Sequence, residues 1–233
     1  MKRVCDHLHG GPPLLDADVE GVAPDLSGWG FDHAIFRAAL THYRPRLVIE
    51  VGTWKGGSAI HMAQLMRELG IDGEVVCVDT WLGAPIAWTR EPQLKDSLRL
   101  AGGYPQLYAT FARNVRDAGV EDLITPLPAS SDGGYAVLKH FGVVADVIYI
   151  DGDHEYAAVR RDLDNYFSLL SPQGTLIADD FGCWPGVTQA AKEFAEAHDL
   201  YAVKQREKIA LSRIDIAAAL GLESDGHYER RAA

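Results

Sequence analysis

Long hydrophobic runs are missing from this chain. No apolar stretch in its 233 residues approaches the roughly 20 that a membrane-spanning helix needs, so a membrane-embedded protein is not expected. The start, MKRVCDHLHGGPPLL, has a basic tip but lacks the apolar stretch of about 7–15 residues that marks a secretory leader. Cysteine is scarce. Cys5, Cys77 and Cys183 are too few and too widely spaced for a disulfide framework or a cysteine metal site, and a cytoplasmic location is the expectation. Positive charge is in deficit, with 22 Lys and Arg against 33 Asp and Glu and a formal net charge of −11. Nucleic acids and anionic lipid surfaces call for basic faces, so neither is an expected partner. Repeats and low-complexity tracts are absent as well. What is present is a chain that is 47% hydrophobic and long enough for one large domain with a substantial core.

Residues 1–30 are rich in Gly, Pro and Asp and read as an irregular arm. Short apolar runs predict strands at 46–52 (RLVIEVG), 74–80 (EVVCVDT), 123–129 (LITPLPA), 146–151 (DVIYID) and 175–180 (TLIADD), with SPQG as a turn before the last. YAVKQ (201–205) and KIALSR (208–213) pair as a terminal hairpin. Helical spacing covers 31–43, with Asp32 as N-cap, and then 58–69, 104–119, 133–142, 155–170 and 187–198. In the fifth of these, Tyr156, Val159, Leu163, Phe167 and Leu170 recur at steps of three and four, which makes one apolar face. Residues 81–103 exceed the usual βα connection of about 2–6 residues and read as a lid. The last 15 or so residues look frayed. Strands alternating with helices specify an α/β fold, doubly wound, with a mostly parallel seven-stranded sheet and an antiparallel C-terminal hairpin. The expected organisation is an arm and helix over 1–45, the main domain over 46–215 with the 81–103 insertion, and a tail over 216–233.

In sheets of this kind ligands bind beyond the carboxyl ends of the strands. Asp79, Asp151, Asp179 and Asp180 all fall at such ends and are expected to converge on one crevice. The stretch VIEVGTWKGGSA puts Glu50 on a strand, Gly52 at its end, and Gly56 and Gly57 at the start of a helix. Glycine there permits a tight turn and close approach of a ligand, the helix start offers free N–H groups, and Ser58 adds a hydroxyl. A plain strand–turn–helix would look the same. The spacing is E-x-G-x-x-x-G, which disfavours a nicotinamide dinucleotide, because Glu50 stands where that fingerprint needs glycine. Asp79 is placed to accept both ribose hydroxyls of a nucleoside, or is only a solvated strand end. Ser130 and Ser131, in LPASSD, suit an adenine edge or a helix cap.

Together these residues resemble the class I S-adenosylmethionine-dependent methyltransferases over roughly 46–200. EVGTWKGGS looks like their first motif, CVDTW like the second, ASSD like the third and DVIYIDGDH like the fourth. Two subgroups are similar: the catechol O-methyltransferase-like enzymes and, more closely through IDGDHEY and PQGTLIADDF, the macrocin O-methyltransferase-like enzymes of antibiotic sugar tailoring. The resemblance implies a Rossmann-like fold with S-adenosylmethionine as cofactor. It makes Glu50, Gly52, Gly56 and Ser58 the methionine-side pocket, Asp79 the ribose ligand, and Ser130 and Ser131 adenine neighbours, with Thr53, Thr80, Trp81 and Asp151 as further cofactor contacts. Asp151, Asp179 and Asp180 become metal ligands. His154 stands where the catechol enzymes carry a catalytic lysine, so the base is an open assignment.

Oxygen-only ligands suit Mg²⁺, with Mn²⁺ or Ca²⁺ as alternatives. Three converging carboxylates would otherwise repel, and one pKa would rise. Asp151 and His154 are the catalytic candidates, since an imidazole with a pKa near 6.5 suits a general base. Helix capping with solvation, and a surface histidine, are the plainer readings. The other histidines, His7, His9, His33, His42, His61, His140, His198 and His227, show no ligand spacing. Trp81, Trp88 and Trp184 suit either an acceptor wall or core packing. The expected activity is metal-dependent O-methylation of a small-molecule hydroxyl, on a sugar of a glycosylated natural product or on a polyphenol. An oxidoreductase or hydroxylase on a similar fold stays open, because fold alone does not decide chemistry. So do a non-catalytic cofactor-binding subunit and a homodimer.

Overall fold

The computed structural model describes residues 3–89 and 92–220. Seven strands form one sheet: β1 (Leu47–Val51), β2 (Glu74–Asp79), β3 (Ile124–Pro128), β4 (Ala145–Ile150), β5 (Leu170–Ala178), β6 (Tyr201–Gln205) and β7 (Lys208–Ser212). Their order is β3-β2-β1-β4-β5-β7-β6. The first five pair in parallel, and β7 runs antiparallel to both β5 and β6. This is the expected Rossmann-like sheet with its terminal hairpin. Pro126 and Pro128 are tolerated because β3 is an edge strand and a missing N–H there breaks no second ladder.

The helices are α1 (Val4–Leu8), α2 (Ala34–Tyr43), α3 (Gly57–Glu68), α4 (Pro85–Thr89), α5 (Pro92–Ser97), α6 (Leu107–Asp117), α7 (Ser131–His140), α8 (Tyr156–Phe167), α9 (Pro185–Ala197) and α10 (Ala217–Leu220). Successive strand residues point to opposite faces. Val75, Cys77, Val147 and Tyr149 pack in the layer with α2, α3 and α6, whereas Val76, Val78, Ile148 and Ile150 pack with α7, α8 and α9. Both faces are covered, so the central strands are apolar nearly throughout. None of the helices among the described residues is long and apolar enough to cross a membrane.

Four expectations are corrected. The arm is structured: α1 docks on the sheet, where the buried Glu74 carboxylate accepts the N–H groups of Val4 (2.5 Å) and Cys5 (3.2 Å) and the hydroxyl of Thr125 (3.0 Å). A charged acceptor at a helix start satisfies donors that have no partner inside the helix. The N-cap of α2 is His33, whose Nδ1 accepts the Ile35 N–H at 3.2 Å, and not Asp32. SPQG is no turn, since β5 begins at Leu170 and a register shift opposite Ala145 and Val147 absorbs the irregular residues. The tail is not frayed from its start, because Ile216 and Leu220 are buried; residues 221–233, with His227, lie outside the described residues. The 81–103 segment contains α4 and α5 and buries Ala87 and Leu98, while residues 90 and 91 lie outside the described residues.

Candidate active site

The strand order reverses direction between β1 and β4, and in sheets of this kind ligands bind at such a point, beyond the carboxyl ends of the strands. Gly52 follows β1 with φ +85°, and a Cβ on it would stand 2.0 Å from the carbonyl oxygen of Asp151. Only glycine fits this crossing. The chain then loops through Thr53–Gly56 into α3. Asp79 holds the loop: its Oδ2 accepts the N–H groups of Thr53 (2.9 Å) and Trp54 (2.8 Å), and its Oδ1 accepts the Trp81 N–H (2.7 Å). Burial raises the Asp79 pKa, and these N–H groups work against the rise.

Trp81, expected as a cofactor contact, is buried in this structure. Its indole N–H donates to the Trp54 carbonyl at 2.9 Å, and its ring packs on Phe111 with centroids 4.8 Å apart. It braces the loop from the core. Thr80 is exposed and its hydroxyl accepts the Leu82 N–H at 3.1 Å. Glu50 is sealed beneath the loop, where it accepts the Ser58 hydroxyl, with the Cys77 thiol at 3.7 Å. Burial pushes its pKa up to about 7 against those hydrogen bonds. Ser130 caps α7 by accepting the Gly133 N–H at 3.2 Å, and the Ser131 hydroxyl donates to Asp162, whose pKa burial lifts to about 6.

The same loop carries Lys55, a residue that motif reading passed over. Its side chain is 1% exposed, and its ammonium meets Asp25 Oδ2 at 2.5 Å and Ser27 Oγ at 2.9 Å. Asn114 on α6 ties both ends together, donating to the carbonyls of Asp25 (2.8 Å) and Lys55 (2.9 Å). Arg99 and Arg113 hold the arm carbonyls of Ala23 and Val22 at 2.7 and 2.8 Å. Burial works to raise the Asp25 pKa, but the bonds from Lys55 and Ser27 prevail and hold it at about 2. Asp25 is part-exposed and keeps Arg99 at 3.8 Å, so Lys55→Met removes a hydrogen bond to a charged group without stranding a buried charge and is expected to cost about 1.5–3 kcal/mol in chemical denaturation. An unchanged denaturation midpoint would show that the strap carries no stability.

The acidic groups divide. Asp151, His154 and Asp180 bring ligand atoms within 4.8 Å of one another. Asp179 is not in that group and is engaged on the other side: Lys208 Nζ lies 2.6 Å from its Oδ1, and the Tyr149 hydroxyl donates to its Oδ2 at 2.6 Å. Tyr149 also lies 3.1 Å from Asp151 Oδ2. Burial raises the Asp151 pKa well above the carboxylate range, Asp179 adds to the rise and Lys208 opposes it. His154 Nε2 lies 2.8 Å from Asp180 Oδ2, and its ring stacks on Trp184 at 4.6 Å and 6°. The bond to Asp180 raises the His154 pKa, partial burial working against it. Trp88 is tied into the insertion, its N–H donating to the Leu82 carbonyl at 2.9 Å. Lys208, Tyr149 and His33 were not singled out by motif. His33 is 6% exposed, and its Nε2 has no hydrogen-bond partner among the described residues. Burial lowers its pKa, with Lys208 adding to that.

A family profile described as "Methyltransferase domain" matches residues 49–181, more than half of the chain, with Asp79, Asp151, His154, Asp179 and Asp180 inside the matched span. The chain belongs to the methyltransferase domain family. Mycinamicin III 3''-O-methyltransferase of Micromonospora griseorubida is 28% identical to this methyltransferase-family chain over 170 residues, covering 70% of this chain and 65% of that protein. The solved O-methyltransferase NovP is 22% identical with a TM-score of 0.59, covering 79% of this chain and 78% of NovP. The O-methyltransferase TomG of Streptomyces achromogenes, solved with SAM and involved in tomaymycin synthesis, is 18% identical with a TM-score of 0.54, covering 81% and 82%. The chain spans less than two thirds of the length of the curated relatives, down to 16% of an uncharacterized protein of Sinorhizobium fredii.

Proposed function

We propose that this methyltransferase-family chain is an S-adenosylmethionine-dependent O-methyltransferase acting on a small-molecule hydroxyl, with a sugar of a glycosylated natural product as the leading acceptor class and a polyphenol as the second. One observation carries the reading: the Asp79-held loop and the His154–Asp180 pair lie at the same strand ends, at a topological switch point. The mycinamicin enzyme, NovP and TomG are O-methyltransferases, which supports it.

Asp79, whose Oδ1 accepts the Trp81 N–H, would accept a ribose hydroxyl, and the N–H groups at the start of α3 would serve an anionic end of the cofactor. Bound there, S-adenosylmethionine would supply an electrophilic methyl group for an acceptor oxygen, with the thioether as leaving group. His154 donates Nε2–H to Asp180, and Nδ1 then holds the lone pair that receives the acceptor's proton. Trp184 fixes the imidazole plane. The arm and the 81–103 insertion would wall the acceptor side.

A divalent ion fits in part. Asp151 and Asp180 would hold it, with His154 as neighbour, and two carboxylates completed by water suit Mg²⁺. It would polarise the acceptor hydroxyl and favour its ionisation. Asp179, expected as the third acid, is engaged by Lys208.

The test is calorimetry with S-adenosylmethionine and with NAD in parallel, followed by transfer of labelled methyl to glycosides and polyphenols. S-adenosylmethionine at 100 times its Kd is expected to stabilise the protein by about 2.7 kcal/mol. Heat with NAD and none with the sulfonium cofactor would overturn the reading in favour of an oxidoreductase.

A further inference from the structure

The end of β5 carries a cation of its own. Ile209 pairs with Ala178, so the antiparallel hairpin sets Lys208 beside Asp179. Lys208 is wholly buried and Asp179 is 8% exposed. Every Asp179 oxygen is engaged: Oδ1 meets the Lys208 ammonium at 2.6 Å and the Asp180 N–H at 2.8 Å, and Oδ2 accepts the Tyr149 hydroxyl at 2.6 Å. Lys208 Nζ also reaches the Tyr149 oxygen at 3.2 Å, and it lies 5.6 Å from the Phe36 ring centre and 5.2 Å from that of Tyr149. The arm closes over it at Gly30, where a Cβ would stand 3.4 Å from Nζ. Neither charge can leave alone, because a buried charge without its partner is strongly disfavoured.

We propose that Lys208 is a positioning residue, a resident counter-ion that withholds Asp179 from the neighbouring carboxylates and so lowers the affinity of the site for divalent cations. The number of charged oxygen ligands sets such affinity. With Asp179 held, Asp151 and Asp180 are the acids left to a metal. Without the ammonium, the Asp179 carboxylate becomes the third. The site and its use are those of the methyltransferase reading, but the test needs neither cofactor nor acceptor.

The probe is Mn²⁺, titrated into the metal-stripped full chain and followed by the electron paramagnetic resonance of the free ion. Lys208→Met is expected to bind Mn²⁺ about tenfold or more tighter than the unaltered protein. The double variant Lys208→Met, Asp179→Asn is expected to lose that gain. Lys208→Gln, which keeps polarity and similar length, is the second variant should Lys208→Met fail to fold. Tightening seen only because the unaltered protein binds no Mn²⁺ supports the proposal equally. Folded Lys208 variants that bind no tighter, or a gain that survives Asp179→Asn, would overturn it. Calorimetry with S-adenosylmethionine on the unaltered chain is read separately. Its failure would remove the methyltransferase reading and leave the counter-ion in place.

Discussion

His154→Ala is expected to lower methyl transfer by about 10²–10⁴-fold while leaving S-adenosylmethionine affinity nearly unchanged. The imidazole stands at the mouth of the crevice, held by Asp180 on its edge and Trp184 on its face. The cofactor's expected contacts lie on the Asp79 loop instead. A base must be unprotonated to act, and the Asp180 bond raises the His154 pKa. The rate therefore falls as pH drops through that raised pKa, and the residual activity of Asp180→Asn should show its acid limb at lower pH. The same pair stabilises the fold below the ordinary histidine pKa of 6.5, and that contribution fades as pH rises through the raised one. Turnover at the unaltered level in His154→Ala would return the residue to a surface role and leave the proton to Asp151 or to solvent.

What could be read from the residues was what local pattern controls. The central strands are apolar because both faces are covered, and Gly52 and Asp79 stand at their ends because a crossing and a loop require them there. Ser171, Pro172, Gln173 and Gly174 have turn chemistry, and what carries β5 through them is the pairing on either side, Leu170 with Ala145 and Thr175 with Val147 and Ser212. Residues 1–30 looked irregular because what orders them lies far along the chain, in Glu74, Asn114 and Arg113. Trp81 carries the same amino acid whether it covers a ligand or fills a core, and its neighbours Tyr108 and Phe111 come from α6, beyond the insertion. The acid cluster is the sharpest case. Its members were legible as strand-end carboxylates, but Lys208 reaches Asp179 only through the hairpin register, which no spacing in the sequence displays.

Asp79→Ala and Asp79→Asn are both expected to weaken S-adenosylmethionine binding by about 10–100-fold and to lower the melting temperature. The carboxylate does two things at once. It gathers three N–H groups, from Thr53, Trp54 and Trp81, and so sets the loop in its binding shape. In the proposed function it would also accept a ribose hydroxyl. Each hydrogen bond to a charged group contributes about 1.5–3 kcal/mol, and the lower figure already corresponds to about tenfold in affinity. Asparagine is the informative substitution. It keeps the shape of aspartate but turns one oxygen into an NH₂, which must point at an N–H donor whichever way the amide is flipped. A purely steric role would leave Asp79→Asn close to the unaltered protein, whereas the acceptor role makes it nearly as damaging as alanine. Calorimetry well below the melting temperature separates the two effects. A lower melting temperature with unchanged affinity would confine Asp79 to holding the loop. Unchanged values for both in Asp79→Asn would make it a solvated strand end and move the ribose site elsewhere in the crevice.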